Sequence, residues 1–360
     1  MPGLFGLYEL DLLAALQVIT LGFIGGVLSG FIGSGGAFFM TPGMMNLGVP
    51  GNISVGSNIT HKFGKAMMGS KRHGELGNVD RKLGVFLIIT AYIGIYIAVQ
   101  IMSLMFGGSE GHESATGDLY ISVVFISVLS VVSLSMLRDV LKQTTDDIGP
   151  SKKISEFLSN LRLFPMIYFP VADVSVSLWI VMGVGLATGY LAGTIGVGGF
   201  IGVPAMIYIF GVPTAVAAGT ELYLAMFMGA FGAVNYVLKG FVDIRLTLLL
   251  YLGSLVGIYI GAYGTKVVKE IVIRFVTGII ILLCVLSRAI AIPVYLRQLG
   301  WLQIDAGWDP ILNSLSKGLL FVSGITGTGL ILFNVIKAYR SQRRVHASLT
   351  VEESRITASG

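Results

Sequence analysis

Ten residues, GFIGSGGAFF from Gly30 to Phe39, interrupt an apolar stretch that is otherwise suited to a membrane helix. Four of them are glycines, which a straight helix does not need and which lower its stability. A second stretch, GTIGVGGFIG from Gly193 to Gly202, interrupts another apolar run in the same way. The sequence therefore predicts two membrane helices that are broken at glycine.

The composition is that of a membrane protein. Of the 360 residues, 54% are hydrophobic and 12% are charged, and the mean hydropathy is +0.84. Apolar runs close to the roughly 20 residues that span a bilayer recur along the chain. The clearest runs are Leu83–Phe106, Leu119–Leu137, Ser177–Ile195, Leu246–Tyr263 and Gly318–Ile336. The predicted fold class is an all-α polytopic membrane protein, and we expect the first run, from Leu12, to be kept rather than cleaved as a signal.

Several classes of function are disfavoured by the composition. The single cysteine, Cys284, permits no internal disulfide and no cysteine-based metal centre. The basic residues behind the net charge of +5 lie mainly between the apolar runs, where orientation signals belong, so no nucleic-acid partner is expected. Neither GSGGAF nor GVGGFI is followed by the Lys-Ser/Thr pair of a phosphate loop. We expect no catalytic residue, no metal and no other cofactor.

The chain repeats itself at a shift of 163 positions. Ile32-Gly33-x-Gly35-Gly36 aligns with Ile195-Gly196-x-Gly198-Gly199, and Gly48-Val49-Pro50 aligns with Gly211-Val212-Pro213. Matches continue through Gly56 with Gly219, Gly77-x-Val79-Asp80 with Gly240-x-Val242-Asp243, and Gly94-Ile95-Tyr96-Ile97 with Gly257-Ile258-Tyr259-Ile260. The predicted organisation is a first membrane repeat (1–137), a polar cytoplasmic linker (138–173), a second membrane repeat (174–290), a loop (291–316), an extra transmembrane helix (317–339) and a basic cytoplasmic tail (340–360).

The distribution of Lys and Arg predicts that the two repeats are inverted. Basic residues place the connector 71–82, the linker and the tail in the cytoplasm, whereas residues 107–117 contain no Lys or Arg and belong outside. Lys266, Lys269 and Arg274 place the Gly240–Asp243 connector outside, although its counterpart Gly77–Asp80 is inside. Arg288 and Arg297, near the predicted outer face, fit this assignment less well.

This orientation requires that segments 12–47 and 175–211 each enter and leave the membrane on one side, as helical hairpins or broken pairs. The N-terminus is then outside and the C-terminus in the cytoplasm, and the inner membrane of the cell is the expected location. The lipid bilayer is thus an expected partner.

Broken helices in a membrane indicate a binding site, because irregular backbone is tolerated there only when protein or a water-filled cavity surrounds it. The amides of Gly35, Gly36 and Ala37 open a half-helix that runs to about Leu47. Such an N-terminus carries partial positive charge and attracts anions. Two of them, from Gly33–Ala37 and Gly196–Phe200, are predicted to converge near the midplane, as in many secondary transporters.

Other glycines have a simpler interpretation. They form three series at four-residue spacing, namely Gly22/Gly26/Gly30, Gly185/Gly189/Gly193 and Gly253/Gly257/Gly261. Small residues at this spacing let two helices approach closely. We expect these series to pack helices together, either within the chain or against a second subunit, so that a homodimer is possible.

The repeated motifs resemble those of the TauE/SafE sulfite exporter family, also called the toluene sulfonate uptake permeases. They read IGSGGAFFMTP…GVP…VGSN in the first half and IGVGGFIGVP…GVP…AGTE in the second. The resemblance covers both halves but not the linker or the tail, and it implies a permease for sulfite, sulfonates, sulfoacetate or related organosulfur anions. Where the family commonly has a Thr-Ser-like pair, this chain has Ser57-Asn58 and Thr220-Glu221.

Polar residues that follow each Gly-Val-Pro turn are candidates for the transport site. Asn58, His61, Lys62 and Lys65 fall on one broad face of a predicted helix, and an ionisable residue in a membrane segment is a functional hypothesis by default. The alternatives are an orientation role for Lys62 and Lys65 and a hydrogen-bonded structural role for His61. The predicted substrate-binding residues are Gly33, Ser34, Gly35, Gly36, Ser57, Asn58, His61, Lys62, Lys65, Gly196, Gly198, Gly199, Thr220 and Glu221.

Three further pairs of alternatives concern the acidic and hydroxyl residues. Glu221 is either a proton-coupling group or the partner of Lys62 or Lys65. Ser57 and Thr220 either donate to a sulfonate or cap their own helices. Asp80 and Asp243 are expected to cap the next helix.

The leading functional hypothesis is a secondary transporter for a small anion, sulfite or an organosulfonate such as sulfoacetate, that works by alternating access. With no ATPase motif in the sequence, a gradient or the membrane potential must drive transport. A charge that crosses 100 mV gains about 2.3 kcal/mol, which is enough to expel an anion from a cell that is negative inside. An anion channel is the alternative, and a membrane-embedded enzyme is a more distant one.

Overall fold

The structure, a computed structural model, describes residues 10–32, 36–106, 112–142, 163–196, 198–268 and 270–358. The first half contains helices α1 (Leu12–Ile32), α2 (Ala37–Asn46), α3 (Gly51–Glu75), α4 (Arg81–Phe106) and α5 (His112–Lys142). An antiparallel β-hairpin of β1 (Met166–Phe169) and β2 (Val174–Ser177) precedes the second half. That half contains α6 (Leu178–Ile195), α7 (Gly199–Tyr208), α8 (Thr214–Leu238), α9 (Ile244–Val267) and α10 (Glu270–Gln298), and α11 (Trp308–Ala358) follows.

Eight of the described helices are long and apolar enough to cross a membrane: α1, α4, α5, α6, α8, α9, α10 and α11. This confirms the predicted all-α polytopic membrane fold. Helix α3 is as long as α8, its counterpart in the repeat, at 25 residues each, but it is not among the eight. Its polar residues lower its hydropathy, and they are the residues from which the sequence predicts the transport site.

The 163-residue shift maps α1–α5 onto α6–α10, and the paired counterparts run antiparallel. In the α3–α8 pair, Gly56 faces Tyr236 near one end and Gly69 faces Leu222 near the other. Helices α5 and α10 also pack together in antiparallel fashion, since Ser122 contacts Arg288 and Leu137 contacts Gly278. This is the relation that the predicted inverted repeats require.

Both short helices fold back on the helix before them. Gly25 of α1 faces Met40 of α2, and Leu21 faces Gly43, so the two helices are antiparallel. The same reversal joins α6 to α7, where Ala192 lies next to Gly198. Segments 12–47 and 175–211 thus form helical hairpins, in agreement with the predicted broken pairs.

The glycine series hold the two halves together. Gly22, Gly26 and Gly30 of α1 bring its backbone against that of α9, where Gly253, Gly257 and Gly261 face it. Gly185, Gly189 and Gly193 of α6 meet α4 in the equivalent way. The prediction that these glycines pack helices is confirmed, and the contact lies within one chain rather than against a second subunit.

Replacing Gly189 by leucine should destabilise the protein far more than the same change at Gly183, although both lie in α6. A Cβ at Gly189 would overlap the backbone of Ala91 in α4, whereas nothing lies within 4 Å of one at Gly183. Overpacking of this kind costs typically 1–3 kcal/mol and occasionally more. Thermal unfolding of the purified variants in detergent measures the difference, and equal melting temperatures would contradict the packing role.

Several helices extend beyond the boundaries predicted from the sequence. Helix α5 continues to Lys142, α10 continues to Gln298, and α11 includes part of the predicted loop and tail. The β-hairpin lies in and directly after the predicted linker, where no strand was predicted. It depends on a contact distant in sequence: Asp80 Oδ2 accepts hydrogen bonds from the amides of Val171 and Ala172, both at 3.0 Å.

The two arginines that fit the orientation poorly have structural partners. Arg288 is fully buried in α10 and donates to Asn46 of α2, Ser122 of α5 and Tyr295. Arg297 forms an ion pair with Asp309 at the start of α11. These bonds give both arginines a reason to occupy their positions that does not depend on membrane orientation.

Candidate functional site at the broken helices

The two helical hairpins meet at the break between α6 and α7. Thr41 of α2 donates its hydroxyl to the carbonyl of Ile195, the last residue of α6, at 3.2 Å. Asn58 of α3 donates Nδ2 to Thr41 Oγ1 at 2.8 Å and to the carbonyl of Ala37 at 3.3 Å. A side chain at Gly196 would lie 3.1 Å from Asn58 Nδ2 and 3.2 Å from Thr41 Oγ1. The break is thus held by polar groups of the opposite half.

Each half-helix begins after a glycine, which has no side chain to cap it. Gly36 precedes α2 and Gly198 precedes α7. The amides of the first turn of a helix have no partner within the helix, and its N-terminus carries about half a positive charge. These two ends therefore attract negative charge.

Lys62 lies next to the uncapped start of α7. A Cβ at Gly198 would be 3.5 Å from its Nζ atom. Among the described residues, none forms a hydrogen bond or an ion pair with this ammonium group within bonding distance. A cation beside the positive end of a helix is electrostatically unfavourable unless an anion comes between them. Lys62 and the start of α7 thus place two positive groups next to each other.

Glu221, a residue of α8, packs against α7 about one turn beyond the start of that helix. Its side chain is 3% exposed and approaches Gly202, and neither carboxylate oxygen has a hydrogen-bond donor among the described residues. Lys62 is the charged group that acts on it electrostatically. Glu221 occupies the position equivalent to Asn58, so the same place in the two halves holds an acid in one and an amide in the other.

His61 and Lys65 face away from this point. His61 Nε2 is 2.7 Å from Ser254 Oγ of α9, and its ring packs on Tyr251 with centroids 4.6 Å apart. Lys65 donates to Ser29 Oγ of α1 at 2.6 Å. The polar face of α3 is therefore divided, with Asn58 and Lys62 at the breaks and His61 and Lys65 between α1 and α9.

The hydroxyls of Ser57 and Thr220 bind backbone of the opposite half. Ser57 Oγ donates to the carbonyl of Asp243 at 3.3 Å and accepts from its amide at 3.1 Å. Thr220 Oγ1 accepts from the amide of Asp80 at 3.0 Å. Neither hydroxyl caps its own helix, and both are fully buried at the junction of the halves.

The aspartates in these turns cap helices, as predicted. Asp80 Oδ1 accepts from the amide of Leu83 and Asp243 Oδ1 accepts from that of Arg245, both at 2.9 Å. The capped helices are α4 and α9, the first helix after each connector. The two connectors are therefore fixed both by their own caps and by a hydroxyl from the other half.

The structure describes some of the glycines of the predicted site. Gly33, Ser34 and Gly35 lie outside the described residues. Gly36 packs directly on the backbone of Gly25, and a side chain there would overlap it. Gly199 is buried as the first residue of α7.

Two threonines near the breaks were not predicted. Thr41 joins the hairpins, and Thr188 has a buried hydroxyl without a hydrogen-bond partner among the described residues. Their counterparts in the repeat are Pro204 and Gly25, so the internal comparison carries no signal for either.

Two cavities open at opposite ends of α3. One, of about 860 Å³, is lined by Gly48 and Val49 just before α3 and by Asp118, Tyr295 and Lys317. The other, of about 790 Å³, is lined by Gly74 and Glu75 at its end and by Tyr223 and Met226 of α8. Lys62 and the breaks lie between the two.

Comparison with known proteins identifies related sequences. The family model described as "Sulfite exporter TauE/SafE" matches residues 18–288. The chain is 24% identical to the probable membrane transporter protein YdhB of Bacillus subtilis (strain 168) over 262 residues, 72% of this chain and 94% of the relative. It is 23% identical to the probable membrane transporter protein YjnA of the same organism over 269 residues, 74% of this chain and 97% of the relative. No solved structure matches the chain significantly.

Proposed function

The chain belongs to the TauE/SafE sulfite exporter family and is a membrane transporter, and we propose that it is a secondary transporter for sulfite or an organosulfonate such as sulfoacetate. The anion binds where α6 and α7 separate and crosses the membrane by alternating access. The residues proposed to contact it are Asn58, Lys62, the first residues of α7 from Gly198, and Glu221. Ser57 and Thr220 are assigned to the junction of the halves because their hydroxyls are already bonded there.

The observation that carries this proposal is the position of Lys62. Its ammonium group lies beside an uncapped helix N-terminus and has no described partner within bonding distance, so two positive groups lie next to each other. An oxyanion accepts hydrogen bonds from both the ammonium and the first-turn amides. Sulfite and sulfonates carry several oxygens on one sulfur and therefore bind several such donors at once.

Alternating access is supported by the arrangement of the hairpins and cavities. The site lies between two cavities at opposite ends of α3, and the two helical hairpins meet beside it through the hydrogen bond from Thr41 to Ile195. In inverted-repeat transporters one repeat moves against the other around a central site. With the orientation proposed from the Lys and Arg distribution, the cavity of about 790 Å³ faces the cytoplasm, as does the C-terminus, and that of about 860 Å³ faces outward.

The proposal is tested by uptake of labelled sulfite into liposomes that contain the purified protein, with sulfoacetate and sulfate as competitors. We expect saturable uptake that sulfoacetate inhibits, because one site accepts both anions. Protein-free liposomes provide the blank. Uptake that rises linearly without saturation would indicate a channel instead, and no uptake of any sulfur anion would overturn the substrate assignment.

A further inference from the structure

The carboxylate of Glu221 lies in an environment that suits neither a permanent charge nor an ordinary ion pair. It is buried, and neither oxygen has a hydrogen-bond donor among the described residues. A buried carboxylate without donors is costly when ionised, unless a cation compensates it. The cation is Lys62, which is close enough to act electrostatically but not within ion-pair distance.

We infer that each transported anion is accompanied by one proton and that Glu221 carries this proton, an inference that rests on the proposed function. The anion and Glu221 compete for the same positive charge. While the site is empty, Lys62 favours the ionised carboxylate. When an anion binds at Lys62 and the start of α7, it neutralises that charge, and the ionised carboxylate loses its compensation.

The proton that then binds forms an O–H bond on Glu221 and comes from water on the side to which the site is open. It returns to water after the site opens to the other side and the anion leaves. Anion and proton therefore bind with positive cooperativity, and by linkage each favours the other to the same extent. A monoanion carried in this way moves no net charge, so the pH gradient alone drives it. A dianion such as sulfoacetate still moves one negative charge with its proton, so the membrane potential acts on it as well.

Apart from Lys62, the described groups packed around the Glu221 carboxylate are uncharged, so Glu221 is the residue to which we assign proton exchange. Helix α3 contributes Lys62, while α6 and α7 contribute the uncharged Thr188 and Gly202. From α4, Gly84 packs on Tyr223, two residues from Glu221. Thr188 Oγ1 is also buried without a described partner, so this space contains several unpaired oxygens. A metal cation would need more oxygen ligands than Glu221 and Thr188 provide.

The test uses proteoliposomes that enclose a pH-sensitive dye. Labelled sulfoacetate, whose acid groups stay ionised near neutral pH, is added outside. With the wild type we expect sulfoacetate entry to acidify the lumen. With the membrane potential held at zero by equal potassium on both sides and valinomycin, an inward proton gradient should accumulate the anion, because one coupled proton multiplies the equilibrium ratio about tenfold per pH unit. A sodium gradient of the same direction should not replace it.

In Glu221→Gln we expect both the dye signal and the pH-driven accumulation to be lost, since glutamine has the same shape and cannot take up a proton. The matched control is Asp305→Asn, which likewise replaces a carboxylate by an amide. Asp305 is exposed in the turn before α11, away from both cavities, and this variant should behave as the wild type. Should Glu221→Gln fail to fold, proton uptake on adding sulfoacetate to the wild type in unbuffered detergent solution decides the matter.

The outcomes separate the two proposals. Saturable sulfoacetate uptake without proton movement would overturn the inference and leave the proposed function intact, with Glu221 as a fixed counter-ion of Lys62. Accumulation driven by sodium instead of protons would do the same. Absence of any sulfur-anion uptake by the wild type would overturn the proposed function and, with it, the inference.

Discussion

Lys62→Met is expected to reduce sulfite uptake into proteoliposomes roughly ten- to a hundredfold, since a hydrogen bond to a charged group contributes about 1.5–3 kcal/mol. Methionine fills similar space without the charge, so the start of α7 loses the ammonium that lies beside it. The change should also destabilise the protein, because Glu221 loses the cation that acts on it. Initial uptake rates and thermal unfolding in detergent measure the two effects.

A double variant separates transport from stability. In Lys62→Met with Glu221→Gln no buried charge is left unpaired, so we expect most of the lost stability to return while uptake stays low. Lys239→Met removes the same charge from an exposed position at the end of α8 and serves as the control. Uptake by Lys62→Met within about threefold of the wild type would contradict the anion site, because the loss of a charged hydrogen bond has a larger effect.

Much of the architecture could be predicted because glycine imposes strong local constraints. Gly26 and the other glycines of its series lie directly against the backbone of another helix. The break at Gly196 needs a residue in the left-handed conformation, with φ at 77°, which glycine adopts readily. These requirements repeat in both halves, so the internal comparison reveals them without any knowledge of the packing. The long apolar runs predict the membrane-spanning helices, and the distribution of Lys and Arg predicts that the two repeats are inverted.

The site could be predicted only in outline, because its details depend on which helices become neighbours. Helical periodicity puts Lys62 and Lys65 on one broad face of α3, but it does not show that one reaches α7 and the other α1. Ser57 looks like a free hydroxyl donor in the sequence, and its bonds to Asp243, 186 residues away, arise from the pairing of the two halves.

Gly196→Leu is expected to lower sulfite uptake about five- to a hundredfold, since a hydrogen bond left unmade in a buried site costs about 1–3 kcal/mol. The new side chain would press on Asn58 and Thr41, whose hydrogen bonds hold α2 and α3 against the end of α6. Separation of these groups displaces the start of α7 from Lys62. Uptake is measured in liposomes at equal amounts of folded protein.

The control for backbone strain is Gly240→Leu. Gly240 has φ at 73°, close to the 77° of Gly196, but nothing lies within 4 Å of a Cβ placed there. Both variants should therefore lose about 1–2 kcal/mol of stability from the left-handed conformation alone, and only Gly196→Leu should lose transport. If the two variants transported equally well, the break would serve only to reverse the chain, and its contact with Asn58 and Thr41 would have no part in moving the anion.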